Sequence, residues 1–284
     1  MAHSSKQRDK MTEEEFIRQY DPGAYERLSA SADVVVFSVD SEAQSQNYRK
    51  LDKQKLTVLL AKRSEHPCMG KWSVPGGFVG IDEALDAAAV RILRNKTGLA
   101  ELYMEQLYTF GNPGRDPRMR IISCAYLSLI DRSRHPIKSN HQLSGLEWFE
   151  VELPKGKDFL LLKSSGEEIV IPIQTQAVQN GKIKTNVHSV GAHSALAFDH
   201  ASLILEGLLR LRGKLEYTDL AFNLLPERFT VAQLQQVYEI ILGQELLSPA
   251  FRRKIADKIT ETGVYTSEKG HRPSQYYTYN GGMK

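Results

Sequence analysis

In the stretch VPGGFVGIDEALDAAAVRILRNKTGL, Val74 to Leu99, a glycine-led turn runs into a helix rich in alanine and leucine. Ile92, Asn95 and Lys96 are spaced i, i+3 and i+4, so they share one helix face. Three carboxylates at that spacing would hold divalent cations, which activate water and neutralise the charge of a pyrophosphate. Here the face carries an alkyl chain, an amide and an ammonium. Metal binding and metal-dependent hydrolysis are therefore not expected, and Glu83, a lone carboxylate, is left to pair with Arg91. Lys96, helped by Arg91 or Arg94, can instead meet phosphate charge directly.

Two further groups extend this chemistry. The segment GRDPRMR supplies Arg115, Arg118 and Arg120, whose guanidinium groups can fork onto phosphates, although Arg115 also fits a loop salt bridge with Asp116. Trp148, next to Phe149, offers a ring to stack on a base or ribose, or belongs to the core. Gly76, Gly77, Lys96, Arg115, Arg118 and Trp148 form the candidate ligand-binding set, with no metal and no cofactor in it. Glu167 and Glu168 are the conspicuous adjacent carboxylates on which an enzyme reading would have to draw, and they also fit a solvent-facing turn. His188, His193 and His200 lack metal-like spacing and read as loop histidines.

A second constellation lies near the carboxyl end. Between Pro249 and Pro273 stand six basic residues, Arg252, Arg253, Lys254, Lys258, Lys269 and Arg272, against three acidic ones. In PAFRRKIADKIT, Phe251, Ile255 and Ile259 recur every fourth residue and predict a buried stripe. Arg253 then points away from it, flanked by Arg252 and Lys254. Such a helix fits the DNA major groove, with Lys269 and Arg272 on a following hairpin that reaches the backbone.

The elements that must position these residues are legible in outline. TEEEFIRQY reads as a short helix with Thr12 and Glu15 at capping-box spacing. ADVVVFSVD, LTVLLAKRS, LYTFGN, IISCAYLSLI and LEWFEV have strand composition, and a polar loop from Ser41 to Lys55 joins the first two. FLLLKSSGEEIVIPI and QNGK read as turns of a hairpin inserted over 154–195. LAFDHASLILEGLLRLRGKL is an amphipathic helix. Beyond it, Thr230 and Gln233 cap VAQLQQVYEIIL, where Leu234, Val237, Tyr238 and Ile241 make one apolar face and Gly243 closes the turn. Ser248 caps the next helix, with Pro249 in its first turn. GVYTSEKGHRPSQYYTYN then reads as two aromatic strands about a charged turn. Helix, helix and hairpin is the order of a winged helix-turn-helix.

Strands interleaved with helices predict an α+β fold, an α/β/α sandwich followed by that winged helix. The expected divisions are an arm over 1–30, a ligand-binding domain over 31–205 and a DNA-binding domain over 206–284. The 284 residues are 41% hydrophobic and 25% charged, with two cysteines and no apolar run approaching the roughly 20 residues of a membrane span. Cys68 and Cys124 are too few for a disulfide framework. With an amino terminus lacking an apolar signal segment, they predict a cytoplasmic protein with free thiols.

The first constellation resembles the Nudix box, G-x5-E-x7-R-E-U-x-E-E-x-G-U with U aliphatic. Gly77, Glu83, Arg91, Leu93, Gly98 and Leu99 stand at their places, and the glutamates after Arg91 do not. KWSVPGG and TFGNPGRDPR are also similar to that family. Together with LAFDH, FTVAQLQQVYEIILG, FRRKI and GHRPSQYYTYN, the chain resembles the Nudix-related regulators of NAD metabolism, the NrtR family, from about residue 30 onward. The resemblance implies a Nudix-like domain that senses ADP-ribose or a related nucleotide sugar, a winged helix that binds operator DNA, and a homodimer. It implies a cytoplasmic bacterial repressor of NAD genes, with some relatives sensing sugars such as arabinose. Two other functions are open: a magnesium-dependent pyrophosphatase acting on ADP-ribose or another nucleoside diphosphate derivative, and a protein-interaction module. The 154–195 stretch is longer than the family's usual link.

Overall fold

The run Val34–Phe37 is apolar at every position because it is buried on both faces. Val34 and Val36 pack with Ala88, Ala89, Ile92 and Leu93 on one side of a sheet, while Val35 and Phe37 pack with Leu203, Ile204 and Leu208 on the other. This central strand, β1 (Ser29–Glu42), lies between β2 (Lys53–Lys62) and β6 (Ile121–Ile130), antiparallel to the first and parallel to the second. The computed structural model describes residues 12–21, 23, 26–42, 52–100, 102–135, 137, 145–154, 156–191, 193, 195–266 and 273–281.

The remaining strands of this sheet are β3 (Trp72–Ser73), β4 (Gly76–Phe78), β5 (Tyr103–Phe110), β7 (Leu146–Glu152), β8 (Phe159–Lys163), β9 (Glu168–Asn180) and β10 (Ile183–Val190). Its order is β10-β9-β8-β7-β2-β1-β6-β5, with β3 on β2 and β4 on β1. Helix α1 (Glu13–Gln19) precedes the sheet and carries the expected Thr12–Glu15 capping box. Helix α2 (Leu85–Thr97) covers one face and ends at Gly98, whose φ of 73° is the left-handed conformation that suits glycine at a helix stop. Helix α3 (His200–Lys214) covers the other face. A Cβ on Gly207 would lie 3.2 Å from Phe37 and 3.3 Å from Val35, so glycine there lets α3 approach β1 closely. The result is the expected α/β/α sandwich.

The 154–195 stretch divides in two. β8 and the first half of β9 continue the main sheet beyond β7, with Leu160, Leu162, Ile169, Ile171 and Ile173 in its core. They are thus part of the sandwich and not a flap laid on it. From Gln174 onward alternate burial stops, and the rest of β9 is exposed on both faces, as is most of β10. A two-residue turn at Gly181 and Lys182 closes this outer hairpin, with Gly181 at φ 62°.

The carboxyl-terminal elements are a 3-10 turn (Leu220–Leu224), β11 (Phe229–Thr230), α4 (Val231–Leu242), α5 (Ser248–Ile255), β12 (Ile259–Tyr265) and β13 (Gln275–Tyr279). The three strands form a small sheet in the order β11-β13-β12. α4 has the predicted limits, the Thr230–Gln233 capping box and Gly243 as its left-handed stop, and its four predicted apolar residues are buried. α5 is shorter than predicted: it ends at Ile255, and Ile259 opens β12 by pairing with Tyr279. Phe251 and Ile255 alone form its buried stripe, with Phe251 set edge-on to Tyr238 at 5.1 Å. Ser248 is its first residue and not its cap; Leu247 takes that place without a side-chain bond.

One apolar core runs without a break from the sheet through α3 into α4 and α5. The expected division between 205 and 206 falls inside α3, which serves both sides. Arg212 ties them together. Its Nε donates to the carbonyl of Ile241 at 2.6 Å and its Nη2 donates to that of Leu153 at 2.5 Å. An Arg212→Met variant keeps the packing but leaves both carbonyls short of a donor. It is expected to lose about 1.5–3 kcal/mol of stability, charged hydrogen bonds being worth that much. An unchanged urea midpoint would show that the tie carries no load.

Candidate functional site

A cleft of about 190 Å³ opens where the start of β1, the β3–β4 turn, the end of α2 and the start of α3 meet. Four basic side chains line it, Arg63, Lys96, Arg115 and Arg118, against two carboxylates, Asp33 and Asp116.

The basic groups differ in how free they are. Arg115 is buried and forks onto Asp199, with Nε and Nη2 donating at 2.9 and 2.7 Å. Arg118 forks onto Asp116 at 3.0 and 2.8 Å and lies over the Phe78 ring. Its guanidinium holds the Asp116 carboxyl below the usual carboxylate range. Arg63 donates from Nε to the carbonyl of Pro67 and stacks on Phe198 at 4.9 Å. Phe198 is held at φ 51°, an uncommon conformation for a residue with a Cβ and one that recurs at functional sites. The ammonium of Lys96 alone has no hydrogen bond or ion pair among the described residues. Burial lowers its pKa, with Asp33 acting in the opposite direction.

The box helix explains why only Lys96 reaches the cleft. Ile92 is turned beneath the turn, and a Cβ on Gly77 would lie 3.3 Å from its Cγ1, so it belongs to the core. Asn95 is exposed. The expected shared face is thus divided between core, solvent and cleft. Glu83 and Arg91 form the expected pair, with Arg91 Nε and Nη2 donating at 2.6 and 2.7 Å. Glu83 also accepts from the Gly80 backbone, and its pKa falls to about 2, chiefly through Arg91. Gly76 and Gly77 line the cleft as predicted.

On the opposite end of the molecule, Arg252 and Arg253 are exposed on α5 with no partner among the described residues. Lys254 donates to the carbonyl of Leu215 at 3.3 Å and sits over Tyr238, so it braces α5 against α3. Lys258 lies past the end of α5, and its ammonium is paired with Asp219. Both were expected on the DNA face; Lys254 stands within α5 and is exposed, whereas Lys258 falls beyond it because the helix ends at Ile255. Lys269 and Arg272 lie outside the described residues.

Residues 49–165 match the NUDIX domain model, and residues 221–279 match that of the NrtR DNA-binding winged helix domain. Over 271 residues the chain is 31% identical to the ADPR responsive transcriptional repressor NtrR of Acinetobacter baylyi, covering 94% of this chain and 88% of that one. The chain belongs to the NrtR family. Its fold also matches the crystal structure of Shewanella oneidensis NrtR complexed with a 27mer DNA, with a TM-score of 0.60 and 27% identity over 88% of this chain and 93% of that one. A MutT/nudix family protein from Enterococcus faecalis shares the fold across 99% of this chain and 100% of its own, with a TM-score of 0.73 and 22% identity.

Against this NrtR-family frame several expectations change. Trp148 does not join Lys96. It lines a separate recess with Asp40 and Arg132 near the far end of β1, its ring 5.3 Å beneath the Arg132 guanidinium. Phe149 is core, edge-on to Trp72 at 4.9 Å. Glu167 accepts from Trp72 Nε1 at 2.7 Å and Glu168 pairs with Lys163, so neither lines the cleft. The loop salt bridge to Asp116 comes from Arg118 and not from Arg115. His200 is no loop residue: it opens α3, is buried, and lines the cleft beside Asp33.

Asp33, Ser31, Arg63 and Phe198 were missed as well. Asp33 had a signal, since it is a carboxylate directly ahead of the apolar run Val34–Phe37 in the central strand. Among the described residues no group of three or more His, Cys, Asp or Glu is placed to hold a metal ion, and no helix is long and apolar enough to cross a membrane.

Proposed function

We propose that this chain is a transcriptional regulator whose Nudix-like domain senses a nucleotide sugar such as ADP-ribose without hydrolysing it, and whose winged helix binds operator DNA. The observation that carries the reading is Lys96. At a position where the Nudix box writes a metal-binding glutamate, a half-buried ammonium with no partner among the described residues faces a cleft rimmed by Arg63 and Arg118. A buried charge without a partner is costly unless something else completes it, and a diphosphate does so directly. The name of the Acinetobacter relative supports ADP-ribose as the effector.

The regulator acts in the cytoplasm as a homodimer on operator half-sites about one helical turn, roughly 34 Å, apart. Release follows from linkage: the effector frees DNA only if it binds the arrangement that DNA disfavours, so saturating operator must weaken effector binding by the same factor.

Titration calorimetry with ADP-ribose tests the sensor directly. Equal affinity in EDTA and in magnesium, with no AMP formed on prolonged incubation, is the expected result. Binding that requires magnesium, or AMP released by the purified protein, would make the chain a pyrophosphatase.

A further inference from the structure

We propose that the floor of the Lys96 cleft is a hydroxyl-reading subsite, built from Ser31, Asp33 and His200, that takes a sugar of the effector while the basic rim takes its phosphates. This rests on the cleft being a nucleotide-sugar site.

The floor carries three polar groups whose needs are not met by the protein. The Ser31 hydroxyl is buried and has no hydrogen-bond partner among the described residues. Asp33 is 6% exposed; its Oδ2 accepts from the Ser123 hydroxyl and lies 3.7 Å from Arg115, while its Oδ1 accepts nothing among the described residues. His200 accepts at Nδ1 from the Val74 amide at 3.1 Å. Burial disfavours its charged form, so the single ring proton is on Nε2, 4.0 Å from Asp33 Oδ1. That gap is too wide for a hydrogen bond and leaves a donor and an acceptor facing the same space.

The pattern selects the chemistry of the guest. A phosphate presents only acceptors and would be repelled by the Asp33 carboxylate. A hydroxyl is donor and acceptor at once: it can donate to Asp33 Oδ1 and accept from His200 Nε2, and a neighbouring hydroxyl can exchange with Ser31. The rim has the opposite character, with the free Lys96 ammonium, Arg63 and Arg118. Sugar inward and phosphate outward is the one ordering that satisfies both ends.

Gly76 sets the floor's shape. A Cβ there would come 1.7 Å from Asp33 Oδ1 and 2.9 Å from its Cγ, so any side chain at 76 displaces the carboxylate.

The test is calorimetry of the full chain with ADP-ribose and with ADP, for wild type, Ser31→Ala, Asp33→Asn and Lys96→Glu, each checked for folding by thermal melting. Ser31→Ala removes only an unpartnered hydroxyl and so remains informative if Asp33→Asn fails to fold. Ser31→Ala and Asp33→Asn are each expected to weaken ADP-ribose about tenfold or more, the scale of one lost hydrogen bond. If ADP keeps its wild-type affinity in these variants, the floor holds the terminal sugar; if ADP weakens in parallel, it holds the nucleoside ribose. Both results support the subsite. ADP-ribose affinity within about twofold of wild type in the folded floor variants, with loss in Lys96→Glu, overturns the subsite and leaves the sensor reading standing. Failure of wild type to bind either nucleotide removes both.

Discussion

Lys96→Glu is expected to weaken ADP-ribose binding by a hundredfold or more, and to leave the protein on its operator at effector concentrations that release wild type. The reversed charge both removes a donor to phosphate and repels it, and truncating one member of a buried charge pair alone costs about 2–5 kcal/mol. The new carboxylate also faces Asp33, whose charge Lys96 feels in the free protein. Lys96→Met separates function from fold. It should lose about tenfold or more in affinity, as expected for one charge-assisted contact. It should also melt at a higher temperature than wild type, because an unpartnered, half-buried ammonium is replaced by an apolar chain. Unchanged affinity in Lys96→Met, measured by calorimetry, would remove Lys96 from the site.

Arg253→Ala is expected to cost about 1–3 kcal/mol at a genomic fragment selected on the wild-type protein, and to relax its base preference. Arg252 and Arg253 are the exposed, unpartnered cations of α5, so the double alanine variant should also lower the salt dependence of binding by about two counter-ions per protomer. Lys254→Ala serves as contrast. Its ammonium is bound to the Leu215 carbonyl, so its loss should appear first in stability and only weakly in the salt slope. Gel-shift titrations over a salt series decide it: an Arg252/Arg253 double variant with wild-type affinity and slope would place the DNA contact elsewhere.

The sequence was legible where local chemistry and tertiary environment agreed. α4 is bounded by a capping box and a glycine stop, and both ends were readable from the chain alone. β6 keeps its predicted limits because nearly all of Ile121–Ile130 is buried. α5 was overextended because the spacing of Phe251, Ile255 and Ile259 is helical, while the pairing of Ile259 with Tyr279 outweighs that periodicity and starts a strand. Lys258 therefore lies beyond α5 and pairs with Asp219. Trp148 was assigned the right kind of surface and the wrong place. Alternation along a strand tells which face a side chain takes but not how far along the sheet it sits from residues on another strand. The cleft floor was hardest, because His200 and Ser123 are far in sequence from Ser31 and Asp33, and the parallel pairing of β1 with β6 and the packing of α3 bring them together.

The fifteen residues of α3 span about 22 Å as one uninterrupted cylinder. At its leading end Asp199 is gripped by Arg115 in the cleft wall; just past its trailing end the Leu215 carbonyl is gripped by Lys254 of the basic helix. One stiff rod thus carries the cleft wall at one end and the anchor of α5 at the other, so a change in the grip on Asp199 bears on the same element that Lys254 holds.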